Sequence, residues 1–222
     1  MNPGRILNIN AAGMPFFAVF LILGLAALFT LGFIFSLPFF IILVFLVYFF
    51  RDPERFAPTD DNLVISPADG YVLELKDGIK DPLSGAQDRL KKISIFMTVF
   101  SVHVNRSPIE GRIKSIVYSK GRFFKAYKDE ASLENESNLL AIERKQAKET
   151  FYVKQIAGVL ARRIRCWVKE GDSVQTGERF GIIKFGSRVE IFMPENYEFA
   201  LKKGDRVRAG QTVIGRRVEK KN

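Results

Sequence analysis

The chain has 222 residues, enough for one domain with an appendage, and is 47% hydrophobic and 26% charged, with a formal net charge of +10. A chain this apolar can bury enough surface to offset its ordering entropy, which excludes general disorder. One cysteine, Cys166, excludes an internal disulfide and a Cys-based zinc site, and one histidine, His103, excludes any mechanism that needs two.

The charge is unevenly placed. Residues 1 to 50 hold a single charged side chain, Arg5, so the remainder carries +9. Ala11 to Phe50 is an uncharged run rich in Phe, Leu and Ile, far longer than the roughly 20 residues a single spanning helix needs. Gly32, Ser36 and Pro38 interrupt it. The pattern predicts a helical hairpin with arms near 14–33 and 36–50, the second short for a full crossing and equally suited to a re-entrant path. A secretory signal has an apolar core of only about 7 to 15 residues before a small-residue cleavage site. Residues 1–55 therefore read as a retained membrane anchor, with Tyr48-Phe49-Phe50-Arg51 as its interfacial belt. Arg5 at one end and Arg51 and Arg55 at the other place both ends of the hairpin, and the rest of the chain, on the cytoplasmic side of the cell membrane. The basic remainder then faces an anionic membrane surface, which attracts each well-placed Lys or Arg by about 1 kcal/mol. No DNA- or RNA-binding signature is present, and no nucleic-acid partner is expected.

Residues 56–222 break into short apolar runs bounded by Gly, Pro, Asp and Asn: 63–66, 70–75, 93–104, 111–118, 151–156, 164–168, 180–185, 189–193 and 213–217. This spacing predicts a mainly β (α+β) domain, with a weak helical period only over 131–147. Within 93–104, Ile93, Ile95, Met97, Val99, Ser101 and His103 would share one face of a buried strand. The turn Val168-Lys169-Glu170-Gly171-Asp172-Ser173-Val174 returns 33 residues later as Leu201-Lys202-Lys203-Gly204-Asp205-Arg206-Val207, and each copy ends on a second glycine, Gly177 or Gly210. Gly-Asp supplies a tight turn with a positive-φ position, and the following valine enters the core. Ser66-Pro67-Ala68-Asp69-Gly70-Tyr71-Val72 and Ile109-Glu110-Gly111-Arg112-Ile113 read as matching strand entries. The element is similar to the hammerhead turn of lipoyl-like barrel-sandwich folds, in which two quasi-equivalent halves pack face to face.

That fold alone does not decide function. A lipoyl or biotinyl carrier would show an exposed modified lysine in 184–194, where none stands; a zinc endopeptidase would need at least two histidines. A non-catalytic, membrane-tethered barrel-sandwich adaptor stays open as a rival, although 119–150 is short for the coiled-coil hairpin of such proteins. Lys120, Arg122, Lys125 and Lys128, with Phe123, Phe124 and Tyr127 between them, suit a loop that dips into the membrane interface. Arg144, Lys145 and Lys148, interspersed with Glu143 and Glu149, read as a solvated helix face.

Four motifs stand in order: Tyr48-Phe49-Phe50-Arg51-Asp52-Pro53-Glu54-Arg55, Ser66-Pro67-Ala68-Asp69-Gly70, Phe100-Ser101-Val102-His103-Val104-Asn105-Arg106-Ser107-Pro108 and Phe185-Gly186-Ser187-Arg188. From about residue 48 to its end the chain resembles the phosphatidylserine decarboxylase proenzymes, and best the short archaeal-type subfamily whose cleavage motif is Phe-Gly-Ser-Arg. The longer enzymes carry Leu-Gly-Ser-Thr there. The resemblance implies autocatalytic cleavage between Gly186 and Ser187, with Ser187, His103 and Asp69 as nucleophile, base and orienting carboxylate. Glycine before the serine tolerates the crowding of that attack. It further implies a pyruvoyl cofactor formed from Ser187, with neither metal nor pyridoxal phosphate, and a heterodimer of a β chain, 1–186, and an α chain, 187–222. A ketone conjugated to an amide can take up an amine and accept the electron pair left by departing carbon dioxide. The implied substrate is a membrane phospholipid, phosphatidylserine, or a related serine lipid such as archaetidylserine; the product from phosphatidylserine is phosphatidylethanolamine. Arg188 and Arg106 are candidates for holding its carboxylate or phosphate, with a solvated strand position as the bland alternative for Arg188.

Overall fold

A computed structural model describes residues 8–83, 89–121, 134–144, 148–158, 164–184 and 187–218, and divides the chain into two compact units, Met1–Glu54 and Arg55–Asn222. In the first unit, helices α1 (Met14–Leu31) and α2 (Phe33–Phe49) meet at Gly32, whose φ of +89° suits a residue without a β-carbon. The break is narrower than the sequence suggested. Ser36 and Pro38 lie inside α2, and the Ser36 hydroxyl donates back to the Phe33 carbonyl at 2.7 Å. Gly24 of α1 lets Phe39 and Phe40 of α2 approach closely. The two ends of the hairpin come together: Asn10 N–H donates to Phe50 O at 2.8 Å, and Ile9 and Arg51 form an antiparallel bridge. Phe50 lies against the rings of Phe16, Phe17 and Phe49, while the Arg51 guanidinium stacks 3.8 Å from the Tyr48 ring centre. The apolar segment Ala11–Leu31 has the length and composition to cross a membrane, at about 1.5 Å per residue. α2 is shorter, at 17 residues.

Among its described residues the second unit has fourteen strands: β1 (Leu63–Ile65), β2 (Gly70–Ile79), β3 (Leu90–Met97), β4 (Val104–Arg106), β5 (Gly111–Ser119), β6 (Ser137–Glu143), β7 (Thr150–Ala157), β8 (Ile164–Cys166), β9 (Ser173–Val174), β10 (Arg179–Ile183), β11 (Ser187–Pro194), β12 (Tyr197–Phe199), β13 (Arg206–Val207) and β14 (Val213–Arg217). An eight-stranded antiparallel sheet runs β13-β2-β3-β11-β7-β6-β5-β9, and two three-stranded sheets run β1-β14-β12 and β4-β10-β8. The repeated turn generates both halves. Gly204 N–H donates to Val72 O, and Gly171 N–H donates to Ile113 O. Asp205 Oδ2 accepts from Lys202 N–H, and Asp172 Oδ2 from Lys169 N–H, both at 2.9 Å. Gly210 N–H donates to Ser66 O and Gly177 N–H to Ser107 O, both at 2.8 Å. Every strand of one three-stranded sheet thus has a counterpart in the other, and the eight-stranded sheet divides between β11 and β7. One continuous core fills the unit, from Val64 and Ile95 through Val153 and Ile191 to Val207 and Ile214.

Two sequence expectations fail here for identifiable reasons. The helical period over 131–147 belongs to β6, whose residues 137–142 are all buried: a strand apolar on both faces has no clean alternation. Arg144 is likewise no solvated helix residue; it is buried, with its guanidinium over Phe151 and Tyr197. The run 93–104 is two strands, not one. It stops at Met97 because Ser101 folds back, its hydroxyl accepting from Thr98 N–H at 3.2 Å and its own N–H donating to Thr98 O. Residues 122–128 of the basic aromatic stretch, and Lys145, lie outside the described residues.

Candidate active site

β10 and β11 belong to different sheets and do not pair with one another. Ile183 N–H, at the end of β10, donates to the His103 carbonyl at 3.3 Å. The chain next enters the large sheet at Ser187, which pairs with Met97 of β3 on one side and Ala157 of β7 on the other. His103 and Ser187 therefore flank one short link; Phe185 and Gly186, which complete it, lie outside the described residues.

Ser187 has no solvent exposure. By the alternation of β11 its side chain faces inward with Val189 and Ile191. Its hydroxyl donates to the Met97 sulfur at 3.2 Å, a weak acceptor that leaves the oxygen lone pairs uncommitted. His103, 1% exposed, places Nδ1 2.9 Å from the Ser101 carbonyl. A carbonyl only accepts, so Nδ1 carries the proton and the lone pair of the neutral ring is on Nε2. Ser101, in the turn that ends β3, thus holds the Nδ1 side of the ring. Asp69 stands immediately before β2. Its carboxylate meets the Arg55 guanidinium with both oxygens, Nη2 to Oδ2 at 2.9 Å and Nη1 to Oδ1, and Oδ1 also accepts Ala209 N–H at 2.8 Å. Arg55 reaches on to Ala209 O at 2.7 Å. The ion pair clamps the entry of β2 to the second repeated turn.

Arg106 is 3% exposed and lies between the two repeated turns, with Nη1 donating to Gly177 O at 3.0 Å and Cδ pressed against the α-carbon face of Gly210. Arg188 is also buried, on the outer face of β11, where it pairs with Glu190 at 2.7 Å and donates to Ser94 Oγ at 2.9 Å. Lys92 joins the cluster, 3.2 Å from Glu74 and 3.7 Å from Glu190. Burial raises the Glu74 carboxyl, but the ammonium groups of Lys76 and Lys92 outweigh it and hold it below the usual range. Arg188 is thus no solvated strand residue; it is buried and paired with Glu190. Among the described residues, no cluster of three or more His, Cys, Asp or Glu could hold a metal ion.

Sequence reasoning missed Met97, Ser101 and Arg55. It also missed the buried amides Asn105, Gln155 and Asn138. A signal for Gln155 was available, since it has the parity of Phe151 and Val153 in a strand whose inner face is otherwise apolar.

The family model described as phosphatidylserine decarboxylase matches residues 42–215. The phosphatidylserine decarboxylase proenzyme of Syntrophus aciditrophicus (strain SB) is 43% identical over 205 residues, covering 91% of this chain and 94% of that protein. The proenzyme of the same name from Ruegeria pomeroyi is 47% identical over 172 residues, 77% of this chain and 78% of its own, and that of Rickettsia felis 45% over 176 residues, 79% and 76%. With a match across both halves of the sandwich and the buried serine at their junction, the chain belongs to the phosphatidylserine decarboxylase family.

Proposed function

We propose that the chain is the precursor of a membrane-bound, pyruvoyl-dependent enzyme that converts phosphatidylserine to phosphatidylethanolamine and carbon dioxide, and that it makes the pyruvoyl group itself at Ser187. The observation that carries this reading is a fully buried serine whose hydroxyl rests on a thioether, at the point where the chain crosses between sheets. A hydroxyl so weakly engaged is free to attack the adjacent peptide.

In the cleavage, His103 Nε2 takes the Ser187 proton as Oγ bonds to the carbonyl carbon of Gly186. The C–N bond to residue 187 then breaks, and the nitrogen receives the proton, leaving an ester. Loss of the Ser187 α-proton expels Oγ with the Gly186 carboxylate, and water replaces the amino nitrogen of the unsaturated end, releasing ammonia. The pocket suits the resulting ketone: Met97 Sδ needs no donor, so losing the hydroxyl proton orphans no polar group there. When formed, the pyruvoyl group supplies an electrophilic carbonyl that binds the substrate amine and accepts the electron pair released with carbon dioxide.

His103 then serves a second time, returning a proton to the substrate α-carbon from a ring held in place by Ser101. Asp69 and Arg55 are positioning residues that fix the turn whose Pro67 carbonyl accepts Arg106 N–H at 2.9 Å. Arg106 and Arg188 support the two turns and β11 from within and do not grip the headgroup. The hairpin of α1 and α2 is the membrane anchor, with the basic second unit on the cytoplasmic side facing anionic lipid. On a denaturing gel, purified protein should give fragments of residues 1–186 and 187–222, the smaller with an N-terminal mass below that of serine. Ser187→Ala should stay uncut, and a split that survives in this variant overturns the assignment.

A further inference from the structure

Behind Ser187 the interior of the sandwich holds a row of side-chain amides. Asn138 Nδ2 donates to Gln155 Oε1 at 3.1 Å, and Gln155 Nε2 donates to Asn105 Oδ1 at 2.8 Å. Asn105 Nδ2 then points at the Met97 sulfur, 3.7 Å away, and at Pro67 O, 3.5 Å away. Met97 Sδ is the atom that receives the Ser187 hydroxyl. All three amides are buried, with Asn105 and Gln155 at zero exposure.

The polarity of the row follows from its end. A thioether and a carbonyl offer only lone pairs, so the Asn105 amino group must face them and its oxygen must face Gln155. Gln155 must then give its amino group to Asn105 and turn its oxygen to Asn138, which must donate in turn. The three amide dipoles therefore align head to tail, with the positive end toward Met97 and Ser187. Aligned bonds of this kind polarise one another, and a dry interior screens them little. Among the described residues the last donor has only distant, weak partners for its two N–H bonds, a poor return for a fully buried amide if packing were its whole purpose. The fold also makes room for the row: a β-carbon on Gly181 of β10 would stand 3.1 Å from Gln155 Nε2.

We propose that Asn105, Gln155 and Asn138 are positioning residues for self-cleavage, a directed amide row that holds Met97 against Ser187 and turns its positive end toward the Ser187 side chain. The proposal rests on the self-cleaving reading above. It assigns the row to ester formation, when Ser187 Oγ gives up its proton and attacks with negative charge developing at the reacting centre, and gives it no part in the later elimination.

The test follows the first-order splitting of full-length precursor in detergent micelles, together with its thermal unfolding. Asn105→Leu should split about 10- to 100-fold more slowly, less than the roughly 10²–10³-fold that loss of a direct oxyanion donor costs in acyl transfer, because the row acts through Met97. Hydroxylamine, which cleaves an ester but leaves a peptide intact, should not restore the split. Asn105→Leu with Gln155→Leu removes both ends of a buried bond, so it should regain much of the stability lost in the single variant while remaining slow. The proposal is overturned if the double variant recovers its splitting rate along with its stability, if the single variant splits at the normal rate, or if hydroxylamine rescues it. Failure of the unaltered chain to split would instead defeat the self-cleaving reading.

Discussion

Ser187 and Arg188 are neighbours with opposite surroundings, because successive residues of β11 face opposite sides of the sheet. Ser187 looks into the apolar interior and Arg188 into the cluster of Glu190, Ser94, Lys92 and Glu74. Lys154, opposite Glu190 in the register, belongs to the same outer face. Burial lowers its ammonium pKa; Glu190 opposes the shift, while Arg188 and Lys92 add to it. A lysine whose folded pKa lies below its unfolded value costs stability at neutral pH. Between the two values the unfolded chain holds more protons, so stability rises with pH. Lys154→Met should therefore be more stable than the parent at pH 7, and the difference should shrink as pH approaches about 10.4. Equilibrium denaturation of both proteins in an uncut Ser187→Ala background, across that pH range, would show it.

At the scale of the element, the repeated turn carries most of the architecture. Gly204 and Gly210 both have positive φ, at +92° and +71°, but their surroundings differ. A β-carbon at Gly204 would meet nothing within 4 Å, whereas at Gly210 it would stand 2.9 Å from Arg106 Cδ and 3.6 Å from the Gly177 α-carbon. Gly204→Ala should cost only the left-handed backbone penalty of about 1–2 kcal/mol. Gly210→Ala should cost more, because Arg106 is buried and also bonded to Gly177 O. Urea denaturation of the two variants would rank them. The turns were legible from their sequence because Gly-Asp-x-Val is a local instruction, requiring a positive φ and a valine that points inward. β6 was illegible for the opposite reason: the face its residues cover is set by β5 and β7, which lie on either side of it.

For the molecule as a whole, the proposed cleavage at Ser187 would leave two pieces that the fold holds together. β11 begins at Ser187 and lies between β3 and β7, both formed from residues before the cut. β13 pairs with β2 and β14 with β1, so the 36-residue fragment is woven into the larger one at three separate places. Pulling it out would expose Val189, Ile191, Val207 and Ile214 at about 25 cal/mol per Å² of apolar surface. The two fragments should therefore co-elute in gel filtration in detergent and part only with global unfolding. Separation in the absence of denaturant would contradict this arrangement.

By itself the sequence determined the apolar hairpin, the predominance of strands and the doubled turn, and its resemblance to a known family singled out Ser187, His103 and Asp69 as the residues to look for. Each is written in composition or over a few consecutive residues. Only the tertiary structure decided that Asp69 is paired with Arg55, that Ser101 orients His103, that Arg188 is neutralised by Glu190, and that three amides align behind Met97. The Asp69 pair and the linked amides lie 14 to 50 positions apart, whereas Ser101 and His103, and Arg188 and Glu190, are two apart and are brought together by a turn and by one face of a buried strand. Burial then makes the pairing matter, since a charge or amide removed from water must find its partner wherever the fold brings one.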